Sequence, residues 1–174
     1  MDNLEPRYIN LRYASDIGIL PRVHGYRKPS RRSGCPVSIS LETLGDRWSL
    51  LIIRDLMVRG FSTFKQFEES DERIATNTLT DRLRRLQGRG IIVAEPDAKD
   101  RRRTRYRLTE KGIDLAPVLL DLLIWGARHE ETMAPAALIA HMEQDREAAI
   151  AEARRRWHER DSTPLIPSFA IDRK

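Results

Sequence analysis

The chain has 174 residues, 33% of them charged, and a formal net charge of +5 at pH 7. This length suits one domain with extensions and allows a hydrophobic core without disulfides. A single cysteine excludes an internal disulfide and a multi-cysteine zinc site. No apolar run approaches the roughly 18 residues that a membrane span needs, so we expect a cytoplasmic protein without membrane contact. The basic balance weakly favours polyanionic partners.

Residues 1–33 are predicted to form an irregular basic arm. The segment contains Pro6, Pro21 and Pro29 and ends in the run YRKPSRRSG. Such a composition is typical of a solvated, partly disordered segment, and also of an arm that contacts DNA backbone or a partner subunit. Both interpretations stay open from the sequence.

Apolar residues take helical spacing from residue 35 onward. The run SLETLGDRWSLLIIRDLMVRG predicts two helical pieces, with Asp46 as the N-cap between them because its carboxylate can accept free amide hydrogens. Gly60 marks a stop. A short helix carrying Phe64 and Phe67 is expected next, opened by Ser62 or Thr63, and a turn over DERIA follows it.

The run TNTLTDRLRRLQGRG predicts a longer helix with two contrasting faces. Leu79, Leu83 and Leu86 recur at helical spacing and should form one buried stripe. Gly88 and Gly90 end the helix. The opposite face carries the polar residues Asn77, Asp81, Arg84 and Arg85, and Thr78 lies at its edge.

A basic β-hairpin is predicted after this helix. IIVAE forms its first strand, PDAKD a turn, and RTRYRL the second strand. Strand alternation should point the arginines outward and Thr104, Tyr106 and Leu108 inward. From Arg82 to Arg107 ten basic residues stand against three acids, which concentrates the positive charge of the chain in this segment. The predicted tip consists of Lys99, Asp100, Arg101 and Arg102.

Thr109 is predicted to cap a helix that begins EKGIDLAPVLLDLLIWGARHE, with a kink or break at Pro117. This helix is apolar beyond one stripe, so it must bury two faces, and in a small domain the second face most economically meets another subunit. The expected dimer-interface residues are Trp48, Leu119, Leu120, Leu123 and Trp125.

Residues 135–160 predict one further helix, and the tail beyond it should be loosely ordered.

Helix, short helix, longer helix and basic hairpin make up a winged helix-turn-helix, which suits duplex DNA because a helix fits the major groove. Four motifs carry a more specific resemblance: Cys-Pro at 35–36, Gly-Asp-Arg-Trp at 45–48, Leu-Thr-Asp-Arg-Leu at 79–83, and Tyr-x-Leu-Thr-x-x-Gly at 106–112 ending in Trp-Gly at 125–126. Together, over roughly half of the chain, they resemble the HxlR-type transcriptional regulators, which are related to the MarR group. The resemblance implies a homodimeric DNA-binding regulator whose dimer is built from the helices flanking the winged core.

The predicted fold class is mainly α with a small β-hairpin: a winged helix-turn-helix with extra terminal helices. We expect a DNA-binding and dimerisation domain over residues 34–131, a helical extension over 132–160 and a tail over 161–174. The expected partner is double-stranded DNA, bound in a sequence-specific way by a dimeric repressor, since operator occlusion needs only binding. The expected DNA-facing residues are Asn77, Thr78, Asp81, Arg84, Arg85, Lys99, Arg101, Arg102 and Arg103.

Two features leave alternatives open. Some members of the family that the chain resembles sense oxidants or electrophiles through a cysteine at this place, so Cys35 is a candidate sensor, and the neighbouring Arg31 and Arg32 would favour a thiolate. A small buried hydrophobe at a helix start is the other interpretation. Trp48 and Trp125 suit either the core or a pocket for a small-molecule effector.

The remaining polar residues form no catalytic constellation. The histidines lack metal-ligand spacing, and no nucleophile with a base or phosphate-cradling loop is present, so we expect no metal, no cofactor and no enzyme activity. Two other functions remain open: a sequence-nonspecific architectural nucleic-acid binder and a protein-interaction adaptor.

Overall fold

The computed structural model describes residues 33–98 and 100–165, which form eight helices and one two-stranded antiparallel sheet. The predicted fold class is confirmed. The predicted N-terminal arm lies outside the described residues, as does Lys99. The elements in chain order are α1 (Pro36–Leu44), α2 (Arg47–Val58), α3 (Phe64–Glu68), α4 (Thr76–Gly88), β1 (Ile92–Pro96), β2 (Thr104–Leu108), α5 (Glu110–Ile113), α6 (Ala116–His129), α7 (Ala136–Gln144) and α8 (Arg146–Glu159).

The helix starts follow the capping residues that the sequence offers. The Asp46 side chain accepts the backbone N–H of Ser49 at 3.0 Å and opens α2. Thr63 opens α3 with a capping box, in which Gln66 accepts the backbone N–H of Thr63 at 2.9 Å. Both predicted helix starts are confirmed. The physical reason is that a free backbone N–H at a helix start needs an acceptor.

The core is formed where α4 packs against α2 and α3. Leu79, Leu83 and Leu86 are fully buried, as the stripe on α4 predicted, and they join Ile53 and Phe67 in one cluster. This burial leaves the opposite face of α4 free to meet solvent or a partner.

The hairpin pairs Ile92 with Leu108 and Pro96 with Thr104 in antiparallel register. The amide of Tyr106 also donates to the carbonyl of Ser62 at 2.7 Å, which joins the start of α3 to the sheet. Tyr106 and Leu108 face inward as predicted. The prediction for Thr104 is wrong: it is exposed, because it lies at the tip end of β2, beyond the reach of the core.

The break predicted at Pro117 is confirmed, because α5 ends at Ile113 and α6 begins at Ala116. Pro117 occupies the first turn of α6, where its nitrogen needs no hydrogen-bond partner. The C-terminal half differs from the prediction in one place. The single helix expected over 135–160 is two helices. Asp145 separates them, and its side chain accepts the backbone N–H of Ala148 at 3.0 Å to open α8.

The helices α7 and α8 fold back onto the winged core instead of extending from it. Both pack against α6, and α8 also packs against α2 and α5. Residues 161–165, the start of the predicted loose tail, lie against α2, where the amide of Leu165 donates to the carbonyl of Val58 at 2.7 Å. Residues 166–174 lie outside the described part of the chain. Within 33–98 and 100–165, no helix is long and apolar enough to cross a membrane.

Candidate nucleic-acid interface

The exposed face of α4 is polar along its length. Asn77, Asp81 and Arg84 are exposed at i, i+4 and i+7 spacing, opposite the buried leucines, while Thr78 is half-buried. The Asn77 side-chain oxygen accepts the backbone N–H of Thr78 at 2.8 Å, near the start of the helix. This face carries the mixture of donors and acceptors with which a helix reads base edges in a major groove.

Arg85 lies at the edge of this face and turns toward α1. Its Nη2 donates to the backbone carbonyl of Glu42, and its side chain is half-buried. A guanidinium held in this way ties α4 to α1. The expectation that Arg85 faces DNA stays untested, and the geometry favours a positioning role.

A second tie joins α4 to the start of α2. Arg82 Nε lies 2.8 Å from Asp46 Oδ1, and the Ser49 hydroxyl donates to Asp46 Oδ2 at 2.6 Å. Burial opposes ionisation of Asp46, but the hydrogen bonds from Ser49 and Arg82 outweigh it, so the pKa of the Asp46 carboxyl is lowered. The ionised carboxylate therefore caps α2 and orients α4 at the same time.

The tip of the hairpin presents exposed arginines. The Arg102 and Arg103 side chains are 92% and 76% exposed, and Arg101 is exposed beside them. Asp100 Oδ1 lies 3.2 Å from Arg102 Nε, and Asp100 Oδ2 lies 3.4 Å from Arg103 Nε. Such solvent-exposed pairs contribute little to stability, so a phosphate can replace the carboxylate without a large loss.

Asp97 organises the base of this tip, a role that the sequence interpretation missed. Its side chain is buried and pairs with Arg105, and its amide donates to the carbonyl of Arg103 at 2.8 Å. The only sequence signal was that Asp97 is one of three acids inside a strongly basic run. Buried carboxylates need such partners, so the pair shapes the loop that carries the exposed arginines.

The two arginines of β2 are engaged within the molecule. Arg105 Nη1 donates to the Ser62 hydroxyl at 2.8 Å. The Arg107 guanidinium lies over the Trp157 ring, 4.9 Å from its centroid, and donates to the Trp157 carbonyl at 2.7 Å. Arg105 is exposed and faces outward as predicted, although its guanidinium is engaged by Asp97 and Ser62. The expectation is wrong for Arg107, which is half-buried. The reason is tertiary: Trp157 of α8 lies against the Arg107 guanidinium.

The residues expected at a dimer interface fall into two groups. Leu120 is buried with Ile124 and Met142, and Leu119 and Leu123 are half-buried against the clusters beneath α6. Leu120 is therefore a core residue of the single chain, because α7 covers the face of α6 that the sequence left without a partner.

The two tryptophans expected at this interface also differ from each other. Trp48 is half-buried, with the Arg47 guanidinium 4.6 Å from its ring centroid. Trp125 is 57% exposed, and Val118 and Leu122 are exposed on the same side of α6. This stripe of three residues, which we call the outer α6 stripe, is an apolar surface that the described chain leaves uncovered.

Cys35 lies at the N-cap of α1 and is exposed, with its amide donating to the Ser33 hydroxyl at 3.0 Å. The interpretation of Cys35 as a buried hydrophobe is therefore wrong. Val37 and Leu41 are also exposed on α1, so the thiol lies beside a second apolar surface.

Comparison with known proteins matches residues 43–134 to the model of the HxlR-like helix-turn-helix family. YdeP of Bacillus subtilis strain 168, an uncharacterized HTH-type transcriptional regulator, is 32% identical over 98 residues, which cover 56% of this chain and 76% of YdeP. MT3179 of Mycobacterium tuberculosis strain CDC 1551 / Oshkosh, described in the same words, is 38% identical over 96 residues, 55% of this chain and 60% of the relative. The crystal structure of PA1607 is similar, with a TM-score of 0.54 and 38% identity, and the match covers 61% of this chain and 71% of PA1607.

Proposed function

The chain belongs to the HxlR-like helix-turn-helix family and is a transcriptional regulator, and from this premise we propose that it is a dimeric repressor that reads a specific duplex sequence. The exposed polar face of α4 enters the major groove in this proposal. The arginines at the hairpin tip contact phosphate. Occupancy of an operator by the dimer is sufficient for repression.

One observation carries the proposal: exposed arginines lie on α4 and at the hairpin tip, while the neighbouring arginines are engaged internally. Arg84, Arg102 and Arg103 are exposed. Arg82 and Arg105 are instead held by Asp46 and Asp97. Exposed guanidinium groups thus lie on the two elements that a winged helix-turn-helix applies to DNA, where release of counterions favours binding.

Fluorescence anisotropy of the purified protein tests sequence reading. The duplex upstream of the protein's own gene is compared with a scrambled duplex of equal length at three salt concentrations. We expect the native duplex to bind at least about 100-fold more tightly, with a steep salt dependence for both. Equal affinity for both duplexes would favour an architectural binder, and no binding at any salt concentration would favour an adaptor.

Two substitutions separate base reading from phosphate contact. Arg84→Ala should cost about 1–3 kcal/mol on the native duplex and reduce discrimination. Arg102→Ala should weaken both duplexes alike and reduce the salt slope by about 0.9. Arg128→Ala removes the same charge from α6, where Arg128 pairs with Glu143 at 2.6 Å, and serves as the control. An unchanged slope for Arg102→Ala would contradict the assignment of the tip.

The outer α6 stripe is proposed to bury against a second copy. Three exposed apolar residues on one side of a helix are costly in water, and closed symmetric dimers commonly cover such surfaces. Leu122→Asp should therefore give a monomer by light scattering. Ala140→Asp places the same charge on the exposed side of α7 and should remain dimeric. A dimeric Leu122→Asp protein would contradict this interface.

Cys35 is proposed as the residue through which oxidants or electrophiles release DNA. Its exposure allows access, and with one cysteine in the chain, oxidation must give a disulfide between subunits or an adduct with a small thiol. Diamide and quinones should lower the DNA affinity of the wild type and leave Cys35→Ser unaffected. Equal responses of the two proteins would refute the role of Cys35.

A further inference from the structure

A cavity of about 540 Å³ lies between α2, α6, α7 and α8. We propose that it binds a neutral, apolar small molecule, and that α8 transmits this binding to the hairpin. The proposal deepens the regulatory function proposed above and rests on it for the effect on DNA. The site itself depends on α7 and α8, which lie beyond the residues matched by the family model.

The size and lining of the cavity suit a small molecule. Ligand pockets commonly measure roughly 300–1,000 Å³ and are mostly apolar. Here the walls are aliphatic and thioether side chains, including Met57 from α2, Leu123 from α6, Met142 from α7 and Ile150 from α8. Methionine side chains adapt to ligands of different shape, so the walls favour a hydrophobic occupant without a fixed outline.

The charges at the cavity argue for a neutral ligand. Arg54 and Arg59 belong to the lining, and both are paired with carboxylates. Arg54 Nη2 lies 2.7 Å from Asp55 Oδ1 and Arg54 Nη1 lies 2.9 Å from Glu72 Oε1, while Arg59 Nη1 lies 3.5 Å from Asp55 Oδ1. These guanidinium groups are balanced by carboxylates, and Glu131 adds a further acid to the lining. An anionic ligand would therefore have to displace an existing ion pair, whereas an apolar molecule needs no such exchange.

A second copy of the chain has a different surface available on the same helix. Val118 and Trp125 are exposed on the outer α6 stripe and do not line the cavity, and only Leu122 is shared by both. The helix can thus contact a second copy on one side and a ligand on the other. This separation favours a small molecule over a second copy of the chain as the occupant of the cavity.

The helix α8 touches both the cavity and the hairpin. Ile150 and Ala153 line the cavity, and Trp157 lies one turn beyond Ala153. The Trp157 indole N–H donates to the carbonyl of Leu108 at 2.8 Å, and Arg107 stacks on the indole ring. A ligand that displaces α8 therefore shifts the anchor of β2, and with it the arginines at the tip. A ligand shifts an equilibrium between two conformations only if it binds one of them more tightly. The coupling therefore requires that the ligand bind the conformation with α8 displaced more tightly than the conformation in this structure.

Binding is tested without DNA, with the neutral fluorescent probe N-phenyl-1-naphthylamine and its sulfonated analogue 1-anilinonaphthalene-8-sulfonate. The two share one aromatic skeleton and differ in charge. We expect the neutral probe to bind the full chain, saturably and more tightly than the anionic one. No saturable binding of the neutral probe, or tighter binding of the anionic one, would overturn the proposed ligand class.

Gly126 offers a cavity-filling variant. It lines the cavity, and a Cβ built on it meets no atom within 4 Å. Gly126→Phe should weaken probe binding at least about tenfold, and Ala149→Phe should do the same from the α8 wall, whereas Gly126→Ala should retain binding. Unchanged affinity in both phenylalanine variants would place the probe elsewhere.

Two other occupants would also overturn the proposal. Monomeric Gly126→Phe in sedimentation, beside a dimeric wild type, would assign the cavity to the second copy. A wild type that excludes the probe, while a chain ending at Leu165 binds it, would assign the cavity to residues 166–174.

The coupling is measured separately, by anisotropy of the native duplex with and without saturating neutral probe. We expect the probe to weaken DNA binding at least about fivefold in the wild type. Trp157→Leu should still bind the probe but lose most of this effect, because its link to β2 is cut. Unchanged DNA affinity in the probe-bound wild type would overturn the coupling. If the wild type without probe binds the native and the scrambled duplex equally, only the proposed function is overturned.

Discussion

Replacement of Asp46 by alanine should destabilise the domain more than the loss of an ordinary helix cap. The carboxylate accepts the backbone N–H of Ser49 at 3.0 Å and its hydroxyl at 2.6 Å, and it lies 2.8 Å from Arg82 Nε. Loss of an N-cap costs about 1 kcal/mol. Ser49 is fully buried, so its hydroxyl would lose a partner at a further cost of about 1–3 kcal/mol. We expect a total of about 2–4 kcal/mol in the free energy of unfolding.

The pH dependence of this contribution has a definite sign. The folded-state pKa of Asp46 is lowered below its ordinary value of 3.8. Its charge therefore stabilises the fold at pH values above that ordinary pKa, and the contribution is lost as the pH falls through the lowered folded value. Asp46→Asn keeps an acceptor for the cap but loses the charge, so the difference between it and the wild type should shrink in acid.

Urea unfolding of the wild type, Asp46→Ala and Asp46→Asn, followed by circular dichroism at about pH 7 and about pH 3, measures both effects. Asp145→Ala removes the cap of α8, whose carboxylate accepts the backbone N–H of Ala148, and should cost only about 1 kcal/mol. If Asp46→Ala lowers the free energy of unfolding by less than Asp145→Ala does, the double role of Asp46 is refuted. Because Arg82 orients α4, Asp46→Ala should also reduce discrimination between duplexes.

Two further substitutions test contacts made by the C-terminal segment. Gly60→Ala should destabilise the fold by about 1–3 kcal/mol in thermal unfolding, because φ is +69° at this position and the added Cβ would collide with the carbonyl of Ser162; a neutral result would contradict the close packing of residues 161–165 on α2. Trp157→Leu should cost about 1.5–2.5 kcal/mol in urea unfolding, from the lost indole hydrogen bond and the lost stacking of Arg107. A smaller cost in Trp157→Leu than in Arg107→Ala would show that the guanidinium, not the indole, holds β2.

Local sequence signals predicted the elements that carry their own reasons for forming. Asp46 caps α2 because a carboxylate precedes the first turn, and Thr109 caps α5 in the same way by accepting the backbone N–H of Gly112. The leucine stripe on α4 is buried because an amphipathic helix packs its apolar face against the core, whichever element lies there. The family, the winged fold and the exposed face of α4 follow from such patterns within short stretches of chain.

The break at Asp145 shows where this kind of prediction fails. Apolar residues continue on both sides of it, so periodicity alone indicated one helix over 135–160. The capping residue was visible, but an aspartate inside a helical pattern is also compatible with a solvated surface position. The return of the chain onto α6 decided between the two, because it requires a turn at this point.

The sequence alone determined which residues alternate along β2, which face of α4 is polar and where positive charge accumulates, since these properties depend on neighbours a few residues apart. Only the tertiary structure decided what each of these residues meets. Arg107 is covered by Trp157, and Leu120 by Met142, each across many intervening residues. The physical reason is that exposure is settled by the packing of distant elements, and α7 and α8 bury surfaces that the local pattern had left for DNA or for a second copy.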